Sequence, residues 1–146
     1  MPAGRPTDYT PELADRICAQ LAEGYSLRKV CEPEDMPCKA TIFNWMRTNK
    51  EFLDQYARAK EESADAMADE ILDIADDGTN DWIEKEHKNG EISIVLDHEH
   101  VQRSKLRVDT RKFLMAKMKP KKYGEKVDLN VGGQEGSKAI EVKYVD

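Results

Sequence analysis

Lys39, Thr41, Asn44 and Arg47 fall within one short stretch, Lys39-Ala40-Thr41-Ile42-Phe43-Asn44-Trp45-Met46-Arg47-Thr48. These are residue types that read double-stranded DNA. An Asn amide pairs bidentately with adenine, and Arg or Lys reaches guanine or phosphate. Thr48 extends the polar set, while Ile42, Phe43, Trp45 and Met46 supply apolar bulk to seat a helix on a core. Upstream, Arg28 and Lys29 suit phosphate contacts that position a domain without reading sequence. Earlier still, Gly4-Arg5-Pro6 has the makeup of arms that push an Arg into a narrow minor groove, a disordered leader being the other reading.

The chain offers no catalytic constellation to set beside this. No Gly-x-x-x-x-Gly-Lys-Ser/Thr loop occurs, which argues against ATP hydrolysis by that mechanism. Cys18, Cys31 and Cys38 lack the close pair of a zinc ribbon and cannot all pair with one another, so they read as buried, reduced thiols. His87, His98 and His100 read as surface histidines, and the abundant carboxylates of residues 51–100 single out no nuclease pair. The expectation is a protein without catalytic residues, bound metal or cofactor.

The elements that must position the polar set are marked by local signals. Thr10 and Pro11 form a helix start, Leu13, Ala14, Ile17 and Leu21 recur at helical spacing, and Gly24 stops the run. Ser26 caps a short second helix, Leu27 to Cys31, with Leu27 and Val30 inward. A turn with Pro33 and Pro37 leads to a third helix over about Lys39–Arg47. Helix, short helix, turn, amphipathic helix is the layout of a helix-turn-helix unit, whose last helix enters the major groove. A plain three-helix core with a solvated outer face fits the same pattern.

The chain has 146 residues, 39% of them hydrophobic and 36% charged, with 23 Lys+Arg against 29 Asp+Glu and a net charge of -6. That suits one domain, or a small domain with a helical extension, in a surface-rich or oligomeric helical protein. No uncharged apolar run approaches the roughly 18 residues of a membrane span, and the first residues lack the apolar stretch of a secretory signal. A cytosolic, membrane-free protein is expected. Charge is unevenly spread: residues 1–50 are neutral, 51–100 carry -12 and 101–126 carry +8. A neutral head should bind DNA weakly alone and better when several copies are held together.

From Glu51 to Asp76, apolar residues from Leu53 to Ala75 keep helical spacing, with Asp65, Asp69 and Asp73 four apart on another face. Arg103, Arg107 and Arg111 form a matching row on a helix over about His100–Lys119. Packed antiparallel, the two helices could align these rows within a subunit or between neighbours, setting register more than stability. Trp82 to Lys88 and Glu91 to Leu96 flank Asn89-Gly90, the signal for a hairpin with a two-residue turn that should pack against something. In the tail, Val127, Leu129 and Val131 share one face of a strand, and Ile140, Val142 and Tyr144 that of another. Two such strands cannot bury an apolar face alone, so they are either disordered or paired with equivalent strands of other subunits, which would remove their open edges.

Two stretches resemble a known family. Gly4 to Glu12, Gly24 to Cys31 and Met36 to Met46 are similar to the opening of phage terminase small subunits. Leu106-Arg107-Val108-Asp109-Thr110-Arg111-Lys112-Phe113, followed by Met118 to Lys126, resembles the family's second signature, where Trp often stands at the position of Phe113. The resemblance covers residues 4 to about 127. It implies a non-enzymatic packaging protein of a tailed double-stranded DNA phage, acting in the host cell cytoplasm. It also implies a ring, octameric in similar proteins, that recognises the packaging site and recruits and modulates the large terminase subunit. The organisation expected is mainly α: a helix-turn-helix domain over residues 1–50, a central oligomerisation domain over 51–122 with a hairpin insertion at 82–96, and a C-terminal strand tail over 123–146 forming an intersubunit barrel. Arg5, Arg28, Lys29, Lys39, Thr41, Asn44 and Arg47 become the expected DNA face. Asp65, Asp69, Asp73, Arg103, Arg107, Arg111, Ile140, Val142 and Tyr144 become the expected assembly residues. A dimeric helix-turn-helix regulator of the same mobile element, and an assembly protein that has lost DNA binding, are the competing readings.

Overall fold

A computed structural model describes residues 4–126. The strands expected in the tail, with Ile140, Val142 and Tyr144, fall outside the described residues. Helix α1 (Pro11–Ala22) starts at the expected cap: Thr10 Oγ1 accepts from the Leu13 amide at 3.2 Å, and Pro11 takes the first helical position. It ends before Gly24, whose φ of +96° is costly for any side-chain-bearing residue. Ser26 Oγ accepts from the Lys29 amide to start α2 (Leu27–Val30). Then α3 (Lys39–Thr48) is followed almost at once by α4 (Lys50–Asp76), where Asn49 Oδ1 accepts from the Phe52 amide at 3.1 Å. Strands β1 (Trp82–Glu86) and β2 (Ile92–Leu96) precede α5 (His98–Met118) and a final turn, α6 (Pro120–Tyr123).

Burial is organised in two clusters. The first gathers Ala14, Ile17 and Leu21 of α1, Val30 of α2, Met36 of the turn, Ile42 and Trp45 of α3, and Phe52 and Ala59 of α4. Tyr9, Trp45, Phe52 and Tyr56 meet edge to face there, with ring centroids 5.4 to 6.2 Å apart, the geometry that aromatic quadrupoles favour. The first core therefore extends past residue 50 into α4. The second cluster joins Ala64 and Met67 of α4 to Met115 of α5, with Ile71, Leu114, Met118 and Tyr123 against it. Contacts from Ser63 to Met118 and from Glu70 to Arg111 set α4 and α5 antiparallel. At 27 residues, α4 is about 40 Å long and runs through both clusters.

Within the subunit the two charged rows do not pair with each other, which leaves the pairing between neighbours as the remaining expectation. Asp65 accepts from Lys119 Nζ, Lys122 Nζ and Tyr123 Oη at 2.6 to 2.9 Å, Arg111 pairs with Glu70, and Arg103 pairs with Glu99 on its own helix. Among the described residues no ion pair runs from the Asp row to the Arg row. The partners are set by side-chain reach across the helix pair and along α5, which spacing on each helix alone does not fix.

The hairpin forms where Asn89-Gly90 marks it, but its turn is longer. The Gly90 amide donates to the His87 carbonyl and the His87 amide to the Glu91 carbonyl, both at 2.8 Å, with Gly90 at φ +82°. This is a turn plus a glycine bulge, the three-residue form of hairpin connection. The hairpin contributes nothing to either buried cluster: Trp82, Ile83, Ile92 and Ile94 all remain exposed. No helix among the described residues is long and apolar enough to cross a membrane.

Candidate nucleic-acid interface

The face of α3 is set by what its other side must bury. Ile42 and Trp45 are in the core, Trp45 only 4% exposed, and the Trp45 indole N–H donates to the Thr7 carbonyl at 3.2 Å. With those positions inward, the 3.6-residue repeat turns Lys39, Ala40, Phe43, Asn44 and Arg47 outward, and all are exposed. Lys39, Phe43 and Arg47 lie at i, i+4 and i+8 on one ridge.

Phe43 corrects the expectation that it supplies core bulk: it is 46% exposed. It sits about 100° around the helix from Ile42, on the ridge of Lys39 and Arg47 and away from the side that Ile42 and Trp45 bury. The signal was in the sequence, since a residue midway between Lys39 and Arg47 at four-residue spacing belongs to the polar side.

Two polar residues are partly committed to the protein itself. Thr41 is half-buried with its hydroxyl 3.3 Å from Cys38 Sγ, and Thr48 Oγ1 donates to the Asn44 carbonyl at 2.9 Å. Asn44 keeps its side chain outward. On α2, Val30 is buried while Arg28 and Lys29 are exposed, with Lys29 Nζ 5.9 Å from the centre of the Tyr25 ring. Arg5 is turned back on the protein. Its guanidinium donates to the carbonyls of Cys31 and Glu32, tying the N-terminal segment to the end of α2.

Charge is segregated within the neutral first fifty residues. Helices α2 and α3 carry Arg28, Lys29, Lys39 and Arg47 and no carboxylate. The acidic residues fall on the N-terminal segment, α1, its end and the turn before α3, where Arg16 pairs with Asp35 at 2.9 Å. A net charge of zero thus averages a carboxylate-free α2 and α3 with acidic segments around them.

The cysteines divide. Cys18 and Cys31 are buried, and burial pushes the Cys18 thiol up to about 11 and raises that of Cys31. Cys38 is exposed, contrary to expectation, because it stands at the cap of α3; its hydrogen bond with Thr41 lowers the thiol. Among the described residues no group of three or more His, Cys, Asp or Glu is placed to hold a metal ion.

The described residues, mainly helical with a two-stranded antiparallel sheet between long helices, match the fold of terminase small subunits. Three crystal structures of the terminase small subunit gp1 of the bacterial virus sf6, each with a different single substitution, are 40% identical to this chain at a TM-score of 0.67. The matches cover 97% of this chain and 95% of theirs. The family described as bacteriophage Sf6, terminase small subunit-like, matches residues 9–130. The chain belongs to that family, and with it to the proteins of bacteriophage DNA packaging. No curated protein matches it.

Proposed function

We propose that this chain is the non-catalytic, DNA-recognising adaptor of a phage packaging motor, with α2 and α3 as a helix-turn-helix and α3 as its major-groove helix. The observation that carries this reading is the segregation of four cations and Asn44 onto α2 and α3, without a carboxylate on either. Arg28 and Lys29 contact phosphates, while Lys39, Asn44 and Arg47 face the groove. Thr41 has a lesser part, and Arg5 braces the fold more than it probes a minor groove.

Residues 1–50 act as the DNA head, its core completed from α4. Residues 51–122 form the oligomerisation body and 123–146 a barrel-forming or large-subunit-binding tail that includes Ile140, Val142 and Tyr144. Leu72 of α4 and Leu106 and Phe113 of α5 are exposed apolar residues that a neighbouring copy would remove from water. Asp69, Asp73, Arg103 and Arg107 remain the charged residues most suited to contacts between copies. The assembly is a homo-oligomeric ring, octameric by resemblance, that binds the double-stranded packaging site and recruits and modulates the large terminase subunit in the host cytoplasm.

Native mass spectrometry and titration of duplex DNA at low and moderate salt test the reading. A closed ring is expected, and the double variant Lys39→Ala, Arg47→Ala should bind more weakly with a shallower salt slope. A stable dimer with no larger species would favour a transcriptional regulator instead. Unchanged binding by the double variant would remove α3 from the DNA interface.

A further inference from the structure

Phe43 is a large apolar side chain held in water at the middle of a polar, cationic helix face. Its neighbours Ile42 and Trp45 are buried in the first cluster, while Phe43, 46% exposed, belongs to neither cluster. Lys39 and Arg47 bracket it one turn to either side, about 6 Å along the axis. Ala40, also exposed, adds a methyl beside it. Cations that draw phosphates to this face bring the ring between them towards whatever lies in the groove.

The apolar feature that a duplex presents in its major groove is the C5-methyl group of thymine. We infer that Phe43 is a specificity-determining residue that reads thymine methyls, with Asn44 beside it reading adenine, so that the two together select A·T pairs. This rests on α3 being the groove helix. A protein surface is the competing occupant of an exposed aromatic, but the two flanking cations and the absence of any carboxylate on α3 favour a polyanion.

The test uses the full chain and duplexes enriched by it from a randomised pool, then resynthesised with thymine or with uracil, which lacks only the methyl. Replacing thymine by uracil should weaken wild-type binding about fourfold per contacted methyl. Phe43→Ala should bind both duplexes equally, whereas Phe43→Leu, which keeps an apolar contact, should retain most of the difference. The Lys39→Ala, Arg47→Ala variant should lose affinity for both while keeping their ratio. Trp45 emission serves as the folding control, since Phe43 is outside the core.

Equal wild-type binding to the two duplexes overturns the inference, as does a uracil penalty that survives in Phe43→Ala. In either case weakening by the Lys39→Ala, Arg47→Ala variant leaves α3 in the groove. No enrichment of any duplex, or full affinity in that double variant, overturns the groove assignment and the inference together.

Discussion

Replacing Phe52 by Ala should destabilise the N-terminal head, helices α1 to α3 with the start of α4, while leaving the α4–α5 pair largely helical. Phe52 is fully buried and stands at the centre of the aromatic cluster, with ring centroids 5.8 Å from Tyr9, 5.9 Å from Trp45 and 6.2 Å from Tyr56. Truncating a buried Phe costs about 3–5 kcal/mol through lost transfer energy and the cavity left behind. A unit of about sixty residues holds about 3–9 kcal/mol in all, so the loss takes about a third of it or more. The two tryptophans make the assay clean. Trp45 is 4% exposed in this core, whereas Trp82 is 60% exposed on the hairpin, so a red shift on substitution reports the head. Urea titrations followed by Trp emission and by far-UV circular dichroism should separate into an early head transition and a later one from α4–α5. A variant whose emission and midpoint match the wild type would refute the claim that α4 completes the first core. The same reasoning predicts that a fragment ending at residue 50 fails to fold and that one extended past Ala59 succeeds.

Two further outcomes follow from single contacts. Lys122, Tyr123 and Lys119 hold the Asp65 carboxyl well below the ordinary carboxylate range. A carboxyl that titrates lower when folded stabilises the fold above its ordinary value of 3.8 and loses that advantage as the pH falls below it. Asp65→Asn should therefore melt below the wild type at pH 7, with the gap narrowing below pH 3.8; a gap independent of pH would contradict this. Gly90→Ala meets no atom within 4 Å but must hold φ +82°, a backbone cost of about 1–2 kcal/mol. It should weaken cross-strand nuclear Overhauser contacts in the hairpin and leave helix melting unchanged, since neither core draws on the hairpin.

What the sequence made legible was local. Thr10, Pro11, Ser26 and Gly24 act through neighbours within four residues, so helix starts and stops followed from residue type. The 3.6-residue repeat gave α4 and α5 nearly to their ends, and Asn89-Gly90 located the hairpin. Features that depend on distant partners were not legible. The turn of the hairpin is fixed by strand register, the partners of Asp65 by where α6 falls against α4, and the exposure of Cys38 by the path of the turn before α3. Arg5 carried a motif, but its donors are used on carbonyls twenty-six and twenty-seven residues away. Phe43 is the middle case: its spacing placed it outward while its chemistry suggested inward, and the needs of Ile42 and Trp45 decided.

The unbroken run of α4 through both buried clusters leaves no hinge between the head and the helix pair below it. A strut of that kind has no slack. In the assembly proposed above, copies joined through the α4–α5 pair would hold their α3 faces at a set angle and spacing, and a duplex engaged by several of them would have to bend to meet the protein.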